Sequence, residues 1–207
     1  MPGESSATPT NYQLVLLGDH GAGKSSIFTR FKEDPFKTTF EDYSFDQTIK
    51  EFTRNNRQMQ LQLYDTAGME RAGDMTSSYF RTVDGVLLVY SCTDNETLVN
   101  IKSRWVENCK RYCKDNTLFF VVGTKIDNCD SITVKEDYPK EMLQSLPIKI
   151  ENFYRISSKE GTNFDSFIDN VIDIILANRD VNGNDIPDGG RVDITKHCEK
   201  KSSCGCS

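Results

Sequence analysis

Residues Gly18 to Ser26 read Gly-Asp-His-Gly-Ala-Gly-Lys-Ser-Ser, and this stretch limits the possible folds more than any other. The apolar run Tyr12-Gln13-Leu14-Val15-Leu16-Leu17 before it has the length of a buried strand. Ile27-Phe28-Thr29-Arg30-Phe31 after it reads as the opening of a helix. A strand, a glycine-rich turn and a helix in that order give the spacing G-x-x-x-x-G-K-[ST] its meaning as a phosphate-binding loop. Gly18, Gly21 and Gly23 let the backbone curl so that successive N–H groups face phosphate oxygens. The helix N-terminus adds unpaired N–H groups and the positive end of its dipole. Lys24 brings a cation to the β- and γ-phosphates, and the Ser25 hydroxyl has the right length to ligate Mg²⁺. His20, Ala22 and Ser26 lie within the same cradle.

A length of 207 residues suits one domain with tails, and a hydrophobic content of 37% suffices for a packed core. The net charge of −6, with no run of Lys or Arg, speaks against nucleic acid as the main partner. No signal peptide is expected. The apolar runs Val86–Tyr90 and Leu118–Val122 are strand-length and too short to span a bilayer. The seven cysteines include no CxxC pair. Cys92, Cys109, Cys113 and Cys129 are expected to be buried thiols in a reducing compartment.

Along the chain, residues 1–10 have little apolar content and are expected to form a disordered arm. The first helix is expected to end near Glu33-Asp34-Pro35, followed by a long loop over Phe36 to Asp46. Thr48–Thr53 alternates as a strand, Asn55-Asn56 signals a turn, and Met59, Leu61 and Leu63 alternate with glutamines as the second arm of a hairpin with one buried face. That arm runs into Tyr64-Asp65-Thr66-Ala67-Gly68. Asp65 therefore ends a strand, where an aspartate on the Mg²⁺ side of a phosphate loop belongs. Gly68 lets the backbone approach a γ-phosphate. A short helix is expected around Ser77–Arg81 and a buried strand over Val86–Ser91. Leu98, Ile101, Trp105, Cys109 and Tyr112 form a helical stripe, with Trp105 read as a core residue. Strands follow at Leu118–Val122 and Phe153–Ile156, then an amphipathic helix through Phe164, Phe167, Ile168, Val171, Ile172 and Ile175. The alternation predicts a doubly wound α/β domain over residues 11–178, mostly parallel with one antiparallel hairpin strand and helices on both faces. Composition shifts from Asn178 onward, and residues 179–207 are expected to form a flexible tail.

With these motifs in order, the chain resembles a small GTPase of the Ras superfamily, most like the Rab branch, over residues 11–178. The phosphate loop is similar to that of Rabs, and Tyr64-Asp65-Thr66-Ala67-Gly68 resembles the family's W-D-T-A-G. Thr76-Ser77-Ser78-Tyr79-Phe80-Arg81 followed by Gly85–Tyr90 resembles a Rab stretch. Thr124-Lys125-Ile126-Asp127 and Ser157-Ser158-Lys159 look like the guanine-recognition motifs. Physical chemistry points the same way. A carboxylate at Asp127 accepts from both N1–H and N2–H₂ of guanine, a donor pair that adenine lacks. The Lys125 stem covers the base, and Ser158 and Lys159 offer backbone N–H groups to O6. The resemblance sets Phe36 edge-on against guanine; a loop anchor in the core is the alternative. It implies GTP or GDP with Mg²⁺ as cofactors. Its implied partners are effectors, an exchange factor, a GTPase-activating protein and the prenylation machinery.

The chain departs from the family where the chemistry happens. Met69 stands where the family carries the Gln that orients the attacking water. A thioether cannot donate a hydrogen bond and accepts only weakly, so slow intrinsic hydrolysis is expected. Glu70 and His20 are other candidates for that task. His20 replaces a small residue, and either projects toward the γ-phosphate or turns to solvent. An ungapped register puts Tyr43 at the metal-ligating threonine of the first switch; a loop shift would supply Thr39 or Ser44 instead. Thr124 stands for the usual Asn, with a hydroxyl still able to tether loops.

The chain ends Cys204-Gly205-Cys206-Ser207. It reads as C-a-a-X with farnesyl on Cys204, or as a Rab-like double-cysteine end with two geranylgeranyl groups. Lys196, Lys200 and Lys201 give little basic support, which favours two lipids. The expected location is the cytosolic face of a membrane. The sequence thus predicts a slow guanine-nucleotide switch with a role in membrane traffic. The alternatives are a nucleotide-bound scaffold that hardly hydrolyses and a P-loop nucleotide kinase.

Overall fold

The structure is a computed structural model, and it describes residues 10–32, 46–54, 57–66, 80–144, 146 and 149–182. Chain order runs β1 (Thr10–Leu17), α1 (Lys24–Lys32), β2 (Asp46–Arg54), β3 (Arg57–Asp65) and β4 (Gly85–Ser91). Next comes a helix in two parts, α2 (Asn95–Asn100) and α3 (Val106–Tyr112), joined by a π turn at Ile101–Trp105. Then follow β5 (Leu118–Thr124), a 3-10 turn at Cys129–Ser131, α4 (Tyr138–Leu143), β6 (Ile150–Arg155) and α5 (Phe164–Asn182).

The strands form one sheet in the order β2-β3-β1-β4-β5-β6. Only β2 runs antiparallel, paired with β3 from Asp46↔Asp65 to Arg54↔Arg57. The other pairs are parallel. β4 and β5 are buried along their whole length, as strands covered by helices on both faces must be. This is the doubly wound mixed sheet that the sequence predicts.

Alternation along the strands assigns the two cores. Tyr12, Leu14, Leu16, Met59, Leu61 and Leu63 face α1 and α5, meeting Ile27, Phe28, Phe31, Phe167 and Ile172. Val15, Leu17, Leu88 and Tyr90 face the other side, with Leu98, Ile101, Trp105, Val106 and Cys109. The hairpin buries more than the one apolar face expected. Gln62 is also buried. Its side chain accepts from Gln13 Nε2 at 3.4 Å and donates to Gln47 Oε1 at 2.7 Å, so a chain of amides crosses three strands, with Gln13 Oε1 buried at its end without a hydrogen-bond partner.

Several local expectations are refined. The helix that starts at Phe164 runs to Asn182, past the compositional shift at Asn178. Cys129 is exposed rather than buried, because it sits in the 3-10 turn, none of whose residues reaches the core. Cys113 is half-buried, while Cys92 and Cys109 are buried as expected. The short helix expected around Ser77–Arg81 falls largely outside the described residues. Among the described residues, no helix is long and apolar enough to cross a membrane.

Candidate functional site

β1 is the central strand of the β3-β1-β4 trio, and chain order reverses on its two sides. Ligands of open α/β sheets gather beyond the carboxyl ends of the strands at such a point. The loop Gly18–Gly23 leaves β1 there and opens directly into α1. Glycine is required at two of its positions. Gly18 has φ +154°, and a Cβ there would fall on the Val89 carbonyl oxygen. Gly23 has φ +100°, and a Cβ would lie 2.8 Å from Thr124 Oγ1. Both combine a backbone that L side chains rarely adopt with a wall that cannot retreat.

Lys24 is 4% exposed. Its Nζ donates to the Gly18 and Asp19 carbonyls, each at 2.8 Å. The cation is thereby folded over the loop it serves. Ala22 N donates back to the Asp19 carbonyl at 3.2 Å. Ser25 and Ser26 are half-buried in the first turn of α1, and His20 is exposed, which favours the solvent-facing orientation for its ring.

Asp65 closes β3 beside Leu16 of β1 and is 5% exposed. Thr66, next along, donates its hydroxyl to the Leu16 carbonyl at 2.7 Å, which pins the outgoing chain to the root of the phosphate loop. A buried carboxylate at the end of the strand beside that root, together with the Ser25 hydroxyl, suits an ion that keeps most of its other ligands as water and phosphate. Gly68, Met69, Phe36, Thr39, Tyr43 and Ser44 lie outside the described residues, as do Cys204 and Cys206.

The residues expected to recognise guanine come together beyond the ends of β5 and β6. Thr124 closes β5; its hydroxyl donates to the Ala22 carbonyl at 2.6 Å and lies 3.2 Å from that of Tyr90. Lys125 adopts φ +62°, a conformation that costs a non-glycine residue energy and concentrates at binding sites. Its Nζ donates to the Gly21 carbonyl at 2.6 Å. Thr124 and Lys125 thus fasten the base-binding loop to the phosphate loop. Asp127 is half-buried, and its Oδ1 accepts from Ser157 Oγ at 2.7 Å. Ser157 Oγ in turn accepts from Glu160 N at 3.0 Å. Ser158 is 5% exposed, and its hydroxyl is buried without a hydrogen-bond partner. A buried polar atom in that condition costs free energy that a bound base would relieve. The residues present therefore fit a guanine nucleotide.

Sequence reasoning missed several participants. Arg30 of α1 donates to the Ser158 carbonyl at 3.2 Å and lies 5.7 Å from the centre of the Phe164 ring, joining α1 to the base loop. Asp19, inside the phosphate loop, accepts from Trp105 Nε1 at 2.9 Å and from Asn100 Nδ2 at 2.6 Å. Trp105 is a core residue, as predicted, yet its one polar atom serves the site. Beneath Gly123, burial above all pushes the Tyr90 phenol and the Cys92 thiol up from their usual ranges. Both stay neutral near neutral pH.

Comparison with known proteins agrees with this geometry. The model of the Ras family matches residues 13–177. The Ras-related protein Rab-1D of Dictyostelium discoideum is 34% identical over 200 residues, covering 93% of this chain and 95% of that protein. Human Ras-related protein Rab-8B is 33% identical over 196 residues, 93% of each. The GTP-binding protein ypt1 of Schizosaccharomyces pombe is 35% identical over 153 residues, 73% of each.

Proposed function

The chain belongs to the Ras family of small GTPases, and from that premise we propose that it is a Rab-type guanine-nucleotide switch, slow to hydrolyse GTP, that acts in membrane traffic. One observation carries the nucleotide reading. The base loop and the phosphate loop are bonded to each other through Thr124, Lys125, Ala22 and Gly21. A single ligand spanning both is then bound by one preorganised unit.

In this reading Gly18, His20, Gly21, Ala22, Gly23, Lys24, Ser25 and Ser26 surround the phosphates. Lys24 Nζ, with three donors, brings its charge to the β- and γ-oxygens while keeping its hydrogen bond to the Asp19 carbonyl. Asp127 reads the base edge, with Ser157 orienting its carboxylate. Thr124, Lys125, Ser158 and Lys159 complete the base site, and Phe36 closes it. Ser25 and Asp65 would hold Mg²⁺, aided by Thr39 or Ser44, and the ion would supply charge neutralisation to the phosphates. Gly68 approaches the γ-phosphate. Met69 replaces the water-orienting Gln, and this supports a long-lived GTP state.

The remaining assignments follow from the sequence. Residues 11–178 are the switch, and 179–207 the tail that carries lipid on Cys204 and Cys206 to a cytosolic membrane face. Effectors read the surface ordered by the γ-phosphate; an exchange factor and an activating protein set its state. Met69 and Tyr43 favour one second reading, a nucleotide-bound scaffold with negligible hydrolysis.

Single-turnover hydrolysis of GTP-loaded protein tests both. The switch reading expects a slow but measurable rate that Met69→Gln raises about tenfold or more. A rate indistinguishable from uncatalysed hydrolysis, unresponsive to Met69→Gln, leaves the scaffold. Preference for ATP over GTP in competition would revive the nucleotide-kinase reading.

A further inference from the structure

The helix Asn95–Tyr112 is not a continuous α-helix. At Ile101–Trp105 it opens into a π turn, in which the Val106 N–H bonds the Ile101 carbonyl five residues back. Such turns hold one more residue than an α turn and recur at functional sites. Here the extra residue has a readable result. Asn100 and Trp105 are five positions apart. In an α-helix their side chains would diverge by about 140° around the axis. A turn that closes over five residues brings them back to one side, where both reach the same carboxylate. Asn100 Nδ2 donates to Asp19 Oδ2 at 2.6 Å, and Trp105 Nε1 donates to Asp19 Oδ1 at 2.9 Å.

Asp19 sits in the phosphate loop, where a carboxylate would repel a triphosphate. Neutral donors on both oxygens answer that charge and tie it to the helix. The Asp19 carbonyl meanwhile takes Lys24 Nζ and Ala22 N. A trans peptide is planar, so fixing that carbonyl also fixes the direction of the His20 N–H behind it. The residue is held at its side chain by the helix and at its backbone by the loop's own cation.

We propose that the π turn Ile101–Trp105 is a latch on the phosphate loop, and that Asp19, held by Asn100 and Trp105, is a positioning residue that sets how long the nucleotide stays bound. This rests on the nucleotide-switch reading. It adds that helix Asn95–Tyr112, remote from the ligand along the chain, governs dwell time through one carboxylate.

The test is the dissociation of N-methylanthraniloyl-GDP from the full chain in Mg²⁺, chased with excess GDP. Asn100→Ala and Trp105→Phe each remove one donor, and each is expected to speed dissociation about fivefold or more. In a double-mutant cycle, Asn100→Ala added to Asp19→Ala should give little further effect, because both cut the same link. A merely structural role would lower the melting temperature of these variants and leave dissociation unchanged. Rates within about twofold of the unaltered chain for both Asn100→Ala and Trp105→Phe would overturn the latch while leaving the switch reading intact. Failure of the unaltered chain to retain labelled GDP would remove the switch reading, and the latch with it.

Discussion

We propose that Asp127 decides which base this site accepts, and a single atom change tests it. Ser157 Oγ holds Oδ1, which leaves the carboxylate oriented toward a ligand edge. Asp127→Asn keeps an acceptor for Ser157 but swaps one acceptor for an N–H₂ donor. Facing guanine, that donor meets another donor. Affinity for GTP should fall about a hundredfold, the scale of a mispaired buried polar group. Xanthosine triphosphate, which presents a carbonyl at C2, should gain; competition binding measures both. Gly23→Ala is a second residue-scale case. Its Cβ would press on Thr124 Oγ1 in a backbone at φ +100°. The hydroxyl would have to leave the Ala22 carbonyl, so the phosphate loop and the base loop would part. Titration should show loss of nucleotide binding, together with a destabilisation of about 1–3 kcal/mol in denaturant unfolding. At this scale the phosphate loop was legible because its residues are contiguous and each has one chemical task. The bonds that hold it were not. Asp19 meets Trp105 across 86 residues of chain, and Thr124 meets Ala22 across 102; no local spacing encodes such pairs.

Elements differ in how plainly they announce themselves. β4 and β5 show as apolar runs bounded by polar residues, and the structure extends each by only a residue or two. The helix Asn95–Tyr112 shows as a stripe at steps of three and four. Those steps fit a straight helix equally well, so the π turn inside it leaves no trace in the pattern. α4 escaped notice for another reason. It spans six residues with Pro139 in its first turn, too short for a periodic signal. α5 is the clearest helix, and its burial sets a magnitude. Ile172 is fully buried among α1, β1 and β3 side chains. Ile172→Ala should cost about 2–5 kcal/mol in urea unfolding. A change below about 1 kcal/mol would mean that α5 packs less tightly than its burial indicates.

For the whole molecule, the buried thiols and phenols give a pH dependence with a definite sign. Burial above all raises Tyr90, Cys92 and Tyr154. The hydrogen bond with Cys113, ahead of burial, raises Cys109. Groups that hold their protons more tightly when folded contribute stability that is complete below their unfolded pKa and lost as pH climbs toward the folded one. Urea midpoints should therefore hold steady up to about pH 8 and fall beyond the usual thiol range of about 8.5. A Cys92→Ala, Cys109→Ala double variant should flatten the first part of that fall. An unchanged slope in it would assign the alkaline loss to other groups.

The place of β1 in the sheet has a consequence for how the molecule wears. Leu14, Val15 and Leu16 pair with β3 on one side and β4 on the other, while β2 pairs on one side only, with Ile49, Lys50 and Glu51 exposed. Amide hydrogens of Leu14–Leu16 should exchange with solvent only when the whole domain opens, and those of β2 through local fraying. The phosphate loop hangs from a strand paired on both sides. On heating, the loop should therefore lose its fold together with the whole domain and not before it, and a thermal scan should show a single transition.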